Sequence, residues 1–151
     1  MTKKKSERVF FVDTAKSVVV RGEKYWKCSV VENEKNIVNF LNSRAVWSIE
    51  AEAYTILKTV YWLVEGGFQG KVRIWSDSQF AVNYYQKIKN FTQEKIQEKI
   101  KAVKLSQKYK TRAKEFVLLT AKVATSNQLD LEVSWIVGEK NPADYYSRNE
   151  T

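Results

Sequence analysis

Four carboxylates stand where a metal site needs oxygen ligands: Asp13, Glu52, Asp77 and Asp144. Asp13 closes the apolar run Val9-Phe10-Phe11-Val12, and a charge that directly follows a buried strand is costly unless a partner, a metal or water compensates it. Asp77 repeats the arrangement, because Val72-Arg73-Ile74-Trp75 reads as a short strand and Ser76-Asp77-Ser78-Gln79 then turns into a helix. The chain has no histidine and one cysteine, Cys28, which excludes the usual zinc ligand sets and an intramolecular disulfide. Any metal must be held by oxygen, and carboxylate sites of that kind suit Mg2+ or Mn2+, the ions of phosphoryl transfer. Four carboxylates can hold two such ions about 3.5 to 4 Å apart, one activating a nucleophilic water and the other stabilising the leaving oxygen of an in-line displacement.

The hydrophobic pattern predicts the elements that must position these groups. Strands are expected at 8–12, 17–21, 25–32 and 36–41, with turns at Arg21-Gly22-Glu23-Lys24 and Glu32-Asn33-Glu34-Lys35-Asn36, a meander. Residues 48–65 read as a helix: Ser48 is the N-cap, Ile49, Ala53, Ile56, Val60, Leu63 and Val64 share one side, and Gly66-Gly67 stops it. Its first turns offer two carboxylates, Glu50 and Glu52. A strand at 71–76, a helix at 78–89 and one or two basic helices within 92–126 follow. Leu129, Leu131, Val133, Trp135 and Val137 then alternate at period two, as in a half-buried strand. After the loop Gly138-Glu139-Lys140, Asn141-Pro142 starts a last helix with Asn as N-cap, so Asp144 falls in its first turn. The expected class is α/β, an antiparallel meander extended by helix-connected strands.

At 151 residues with 44% hydrophobic residues, one domain over 1–151 is expected, with residues 1–7 a flexible basic N-terminus. The start is too polar for a signal peptide and no stretch is long enough to span a membrane, so an intracellular protein is expected. The net charge of +9 is concentrated: residues 87–122 hold eleven Lys and Arg against three Glu, or +8. Ile96, Ile100, Val103 and Tyr109 give this segment a packing face, which leaves Lys101, Lys104 and Lys108 to project outward. Such a run is either a solvated helix face or a phosphate-contacting surface; its concentration favours nucleic acid.

Four stretches in order resemble the ribonuclease H superfamily: Val9-Phe10-Phe11-Val12-Asp13-Thr14-Ala15, Ala51-Glu52-Ala53, Trp75-Ser76-Asp77-Ser78-Gln79, and residues 133–148 ending in Asn141-Pro142-Ala143-Asp144-Tyr145-Tyr146-Ser147-Arg148. The second and fourth are most similar to ribonuclease H domains of retroelement polyproteins. The resemblance implies a five-stranded mixed sheet, its first three strands antiparallel, flanked by helices. It also implies that Asp13, Glu52, Asp77 and Asp144 are the metal-binding catalytic acids, with Glu52 preferred over Glu50 because of the small residue before it and the apolar pattern after it. The implied reaction is two-metal hydrolysis, with Mg2+ or Mn2+, of the RNA strand of an RNA/DNA hybrid, leaving a 5′-phosphate and a 3′-hydroxyl. Contacts to 2′-hydroxyls and groove shape would select RNA. A reverse transcriptase domain in a parent protein is an implied neighbour, in keeping with only seven residues after Asp144.

Each assignment has a plainer rival. Asp13 and Asp77 could cap turns, Glu52 could be an exposed helix glutamate, and Asp144 could favour the positive end of a helix. Ser78 and Gln79 approach the substrate groove or, for Ser78, cap the helix. Trp47, just before the helix of Glu52, is the aromatic placed to lie against a substrate strand, whereas Trp26, Trp62, Trp75 and Trp135 read as packing residues. Many cellular relatives carry a loop histidine before the last acid; here Glu139 occupies that loop, either as a proton-transfer substitute or as a solvated residue, and slow or Mn2+-preferring turnover is expected. The glycine-rich stretch common after the first acid is missing, so substrate contacts there do not transfer. Two other readings compete: a nuclease of the same superfamily acting on DNA, such as a resolvase or exonuclease, and a silent nucleic-acid-binding module.

Overall fold

The computed structural model describes residues 7–32, 35–42, 48–106 and 110–144. Trp47, Lys108, Tyr109 and the tail from Tyr145 lie outside the described residues, as do the first six residues of the expected basic N-terminus.

The meander consists of β1 (Arg8–Val20), β2 (Glu23–Glu32) and β3 (Lys35–Asn42), each antiparallel to the one before. β1 and β2 turn through Arg21 and Gly22, both at positive φ (52° and 82°), the two-residue geometry whose twist matches the strands. The runs expected separately at 8–12 and 17–21 are one strand. Asp13 therefore lies in the middle of β1 rather than at a strand end. The reason is β2, which pairs with both halves: Asp13 with Ser29, Thr14 with Cys28 and then, past a bulge that absorbs one extra β1 residue, Ser17 with Trp26.

The helix α1 (Ser48–Glu65) follows, and its buried residues Ala53, Ile56, Val60 and Leu63 join Phe10, Val12 and Val30 in the core. Gly67, at φ 77°, ends it: Phe68 N–H bonds Leu63 O at 3.0 Å and Gly67 N–H bonds Val64 O at 3.0 Å, so the last carbonyls are satisfied. β4 (Gly70–Ser76) then pairs parallel with β1, and the helices α2 (Gln79–Ile88), α3 (Gln93–Leu105) and α4 (Thr111–Ser126) lead to β5 (Leu129–Trp135), parallel with β4. The basic segment is thus two helices. The sheet order is β3-β2-β1-β4-β5, a mixed sheet with helices packed on it. Fully buried Phe10, Ile74, Leu63, Ile88 and Leu118 supply the kind of burial that stabilises by about 1.5 to 3 kcal/mol per side chain.

β5 is an edge strand, and α2 closes part of that edge. Tyr85 Oη donates to Leu131 O at 2.8 Å and Gln86 Nε2 to Val133 O at 2.7 Å, occupying carbonyls that an incoming strand would use. The strand stops at Trp135, short of the expected Val137, because β4 ends at Ser76; Ile136 N–H to Ser76 O at 3.0 Å is the last rung. Trp75 stacks on Phe11 and Trp62 meets Phe10 edge-on, which matches their reading as packing residues. Among the described residues no helix is long and apolar enough to cross a membrane.

Candidate metal centre

β1 outruns its parallel neighbour, and the site occupies the resulting notch. β4 pairs with β1 only from Arg8 to Phe11. Beyond that, among the described residues, main-chain groups of β1 on the β4 side have no strand to bond. Strand alternation puts the groups of Val12 and Thr14 on that side. Both are taken by side chains, one from the expected N-cap and one from an expected site acid: Asn141 Nδ2 donates to Val12 O at 2.9 Å, and Thr14 N–H donates to the carboxylate of Glu52. Polar side chains fill the place of a missing strand because buried main-chain groups must be satisfied.

Around this notch the structure gathers Asp13 from β1, Glu52 from α1 and Asp77 from the β4–α2 junction, with one oxygen of each within 4.8 Å of the others. Asp13 is 3% exposed and Glu52 9%, so the cluster is largely withdrawn from water. Glu52 Oε2 is buried and has no hydrogen-bond partner among the described residues. Burial, then the charges of Asp77 and Asp13, push the Glu52 carboxyl well above the ordinary glutamate range, against the opposing bond from Thr14. Three carboxylates and an orphaned buried oxygen form an arrangement that costs free energy by itself and is relieved by a cation. The donor set, all oxygen, fits a hard divalent ion such as Mg2+, with water completing its shell.

Glu50, the rival on α1, is also buried, but against α4: Arg112 Nε lies 3.6 Å from its Oε2, and Glu50 is not in the acid group. Asp144 does not fall in that group either. It is the third residue of the helical turn that opens at Pro142, partly exposed, and Asn141 is the N-cap of that turn as expected, Oδ1 accepting from Ala143 N–H at 2.9 Å. Ser29, on β2 opposite Asp13, donates its hydroxyl to Ala143 O at 2.8 Å. Ser29 is fully buried, and its sequence signal is a lone hydroxyl within the apolar run Cys28-Ser29-Val30-Val31. Thr14 and Thr55 form a further polar seam, their hydroxyls 3.4 Å apart, beside Cys28, whose thiol burial pushes up to about 11.

The loop before Asp144 folds back over the site. A Cβ on Gly138 would lie 3.1 Å from Asp77 Oδ2, so glycine allows this close approach. Glu139, next to it in the 3-10 turn Gly138–Lys140, is exposed. Ser78 caps α2, its Oγ accepting from Ala81 N–H at 3.2 Å, which is the plainer of its two sequence readings; Gln79 is exposed at the first turn. Lys101 and Lys104 are exposed on α3, which packs on α4. Phe80 and Tyr84, which the sequence reading passed over, stack on the surface of α2 with Lys110 and Lys114 over their rings at 5.0 and 5.7 Å.

No family model matches the sequence, and no curated protein matches it. Solved structures do. Ribonuclease H1 from the halophilic archaeon Halobacterium salinarum NRC-1 is similar at a TM-score of 0.59 with 12% identity, over 97% of this chain and all of that one (100%). The N-terminal ribonuclease H domain of a Mycobacterium tuberculosis protein, solved as a fusion with maltose-binding protein, is similar at a TM-score of 0.52 with 14% identity, over 91% of this chain and 92% of that one. With a mixed sheet in the order β3-β2-β1-β4-β5 and an acid cluster where β1 outruns β4, the chain has a ribonuclease H-like fold.

Proposed function

We propose that the protein is a metal-dependent endonuclease that hydrolyses the RNA strand of RNA/DNA hybrids, leaving 5′-phosphate and 3′-hydroxyl ends. The observation that carries this reading is the convergence of Asp13, Glu52 and Asp77 to within 4.8 Å at the notch of a ribonuclease H-like sheet. The two similar structures described above are named ribonuclease H, which favours a hybrid over duplex DNA or a junction as substrate.

In this reading Asp13, Glu52 and Asp77 hold the ions and Asp144, partly exposed, completes the ligand set. The divalent ions, when bound, activate the attacking water and offset charge on the leaving oxygen. Thr14 N–H holds the Glu52 carboxylate in place, and the absence of a side chain at Gly138 keeps the approach to Asp77 open. Burial of Asp13 and Glu52 excludes bulk water, which strengthens their hold on a cation. Lys101 and Lys104 on α3, with Lys110 and Lys114 beside Phe80 and Tyr84, offer positive charge to the phosphates of the substrate. Gln79, exposed two residues after Asp77, would reach the groove, and the exposed Glu139 would exchange a proton with solvent. The run 141–144 followed by Ser147-Arg148 supports an origin in a retroelement polyprotein, with a reverse transcriptase domain as neighbour.

The test is cleavage of labelled RNA/DNA hybrid, duplex DNA, duplex RNA and a four-way junction in Mg2+ or Mn2+, beside the Asp77→Asn variant. Cutting of the RNA strand of the hybrid alone, abolished in the variant, is the expected result. Cutting of DNA or junctions would assign another nuclease activity, and binding without cutting by the wild type would assign a silent module.

A further inference from the structure

Ser29 is fully buried, polar and has no part in the chemistry proposed above. It sits opposite Asp13 in the β1–β2 register, and its hydroxyl bonds the carbonyl of Ala143, the residue before Asp144. Asn141, 3% exposed, bonds the N–H of the same Ala143 through Oδ1 and the carbonyl of Val12, the residue before Asp13, through Nδ2. Both main-chain groups of Ala143 are therefore held by side chains, and each holder is tied to β1 or β2 beside Asp13. The first residues of a helix have no preceding turn to bond and so gain little from helical cooperativity. The place of this turn is set by such tertiary bonds.

We propose that Ser29 and Asn141 are positioning residues, a two-point clamp that sets where Asp144 stands relative to Asp13 and so tunes the affinity of the acid site for its divalent cations. The inference rests on the metal-site reading of the acids. Removing the Ser29 hydroxyl takes from a buried carbonyl the only side-chain donor it has among the described residues, and the turn is then free to shift. Groups that orient metal ligands from behind commonly alter affinity by about 10- to 100-fold when removed.

The experiment is Mn2+ binding to the full chain without substrate, followed by the loss of the free-Mn2+ electron paramagnetic resonance signal. It compares wild type, Ser29→Ala, Asn141→Ser, Asp144→Asn, Asp77→Asn and the Ser29→Ala/Asp144→Asn double variant, each checked for folding by circular dichroism. Asn141→Ser keeps a hydroxyl for Ala143 N–H but is too short to reach Val12. Both clamp variants should bind Mn2+ about tenfold more weakly, and Ser29→Ala should add nothing once Asp144 is Asn. Wild-type affinity in both, with Asp77→Asn weakened, overturns the clamp and leaves the proposed function standing. An undiminished Ser29→Ala effect in the Asp144→Asn background also overturns it. Wild-type affinity in Asp77→Asn overturns the metal-site reading and the clamp with it.

Discussion

Asp77→Asn should stabilise the metal-free protein while removing its cation affinity. Two unit charges at 4.8 Å, the upper bound on the separations in the cluster, repel by about 3.5 kcal/mol at an effective dielectric near 20, and closer ones by more. Glu52 escapes part of this by keeping its proton, and Asp77 is partly exposed, so the expected gain is about 1 to 2 kcal/mol. For a chain of this size that is a rise in Tm of roughly 2 to 8 °C. The pH dependence follows from the sign of the Glu52 shift. Its folded pKa is raised above the ordinary value of 4.5, so its contribution is full below that value and is lost as pH rises through the folded one. The metal-free wild type should thus weaken as pH climbs, and the advantage of Asp77→Asn should be larger at pH 8 than at pH 5. Mg2+ should reverse the order, since a cation at a hundred times its Kd stabilises the wild type by about 2.7 kcal/mol and the variant hardly at all. Thermal unfolding in EDTA and in Mg2+ at the two pH values measures all of this. A variant less stable than wild type in EDTA at pH 8, or a gain equal at both pH values, would refute the argument.

Gly138→Ala presses a methyl group to 3.1 Å from Asp77 Oδ2 and should lower kcat about tenfold with the fold intact by circular dichroism; an unchanged kcat would remove Gly138 from the site. Replacing Lys101 and Lys104 by Glu should weaken hybrid binding and reduce the salt slope by up to about 2, read from filter binding across a salt series; an unchanged slope makes α3 a merely solvated face. Glu139→Ala should slow single-turnover cleavage and shift the balance between Mg2+ and Mn2+, whereas unchanged rate and metal preference would return Glu139 to solvent. Gln86→Ala uncovers the Val133 carbonyl on the edge of β5 and should cost about 1 to 2 kcal/mol in urea unfolding and promote self-association in sedimentation velocity.

Elements whose signals are local were legible in the chain. The amphipathic run from Ser48 with its double-glycine stop is α1 with a matching C-terminal cap, and the Asn141-Pro142 pair starts a helical turn where expected. The alternation from Leu129 is β5. What failed was the boundary at Asp13: a polar stretch after an apolar run looks like the end of a strand, yet β2 is long enough to carry β1 through it. The choice between Glu50 and Glu52 shows the same limit. Both lie in the first turns of α1 and both are buried, and what separates them is Arg112 on α4, 62 residues beyond Glu50, set against Thr14 and Asp13 on β1.

The residues themselves determined the chemistry available to this protein: without histidine and with one cysteine, only oxygen ligands remained, and the acids were already spaced among strand and helix signals. The tertiary structure decided which carboxylates meet. Strand overhang and main-chain satisfaction depend on partners far apart in sequence: where β4 stops beside β1, which side chains fill the gap, and that Ser29 reaches across to Ala143. Local propensity carries no information about those distances, so the three-acid cluster, the offset of Asp144 from it and the glycine against Asp77 emerge only when the sheet is assembled.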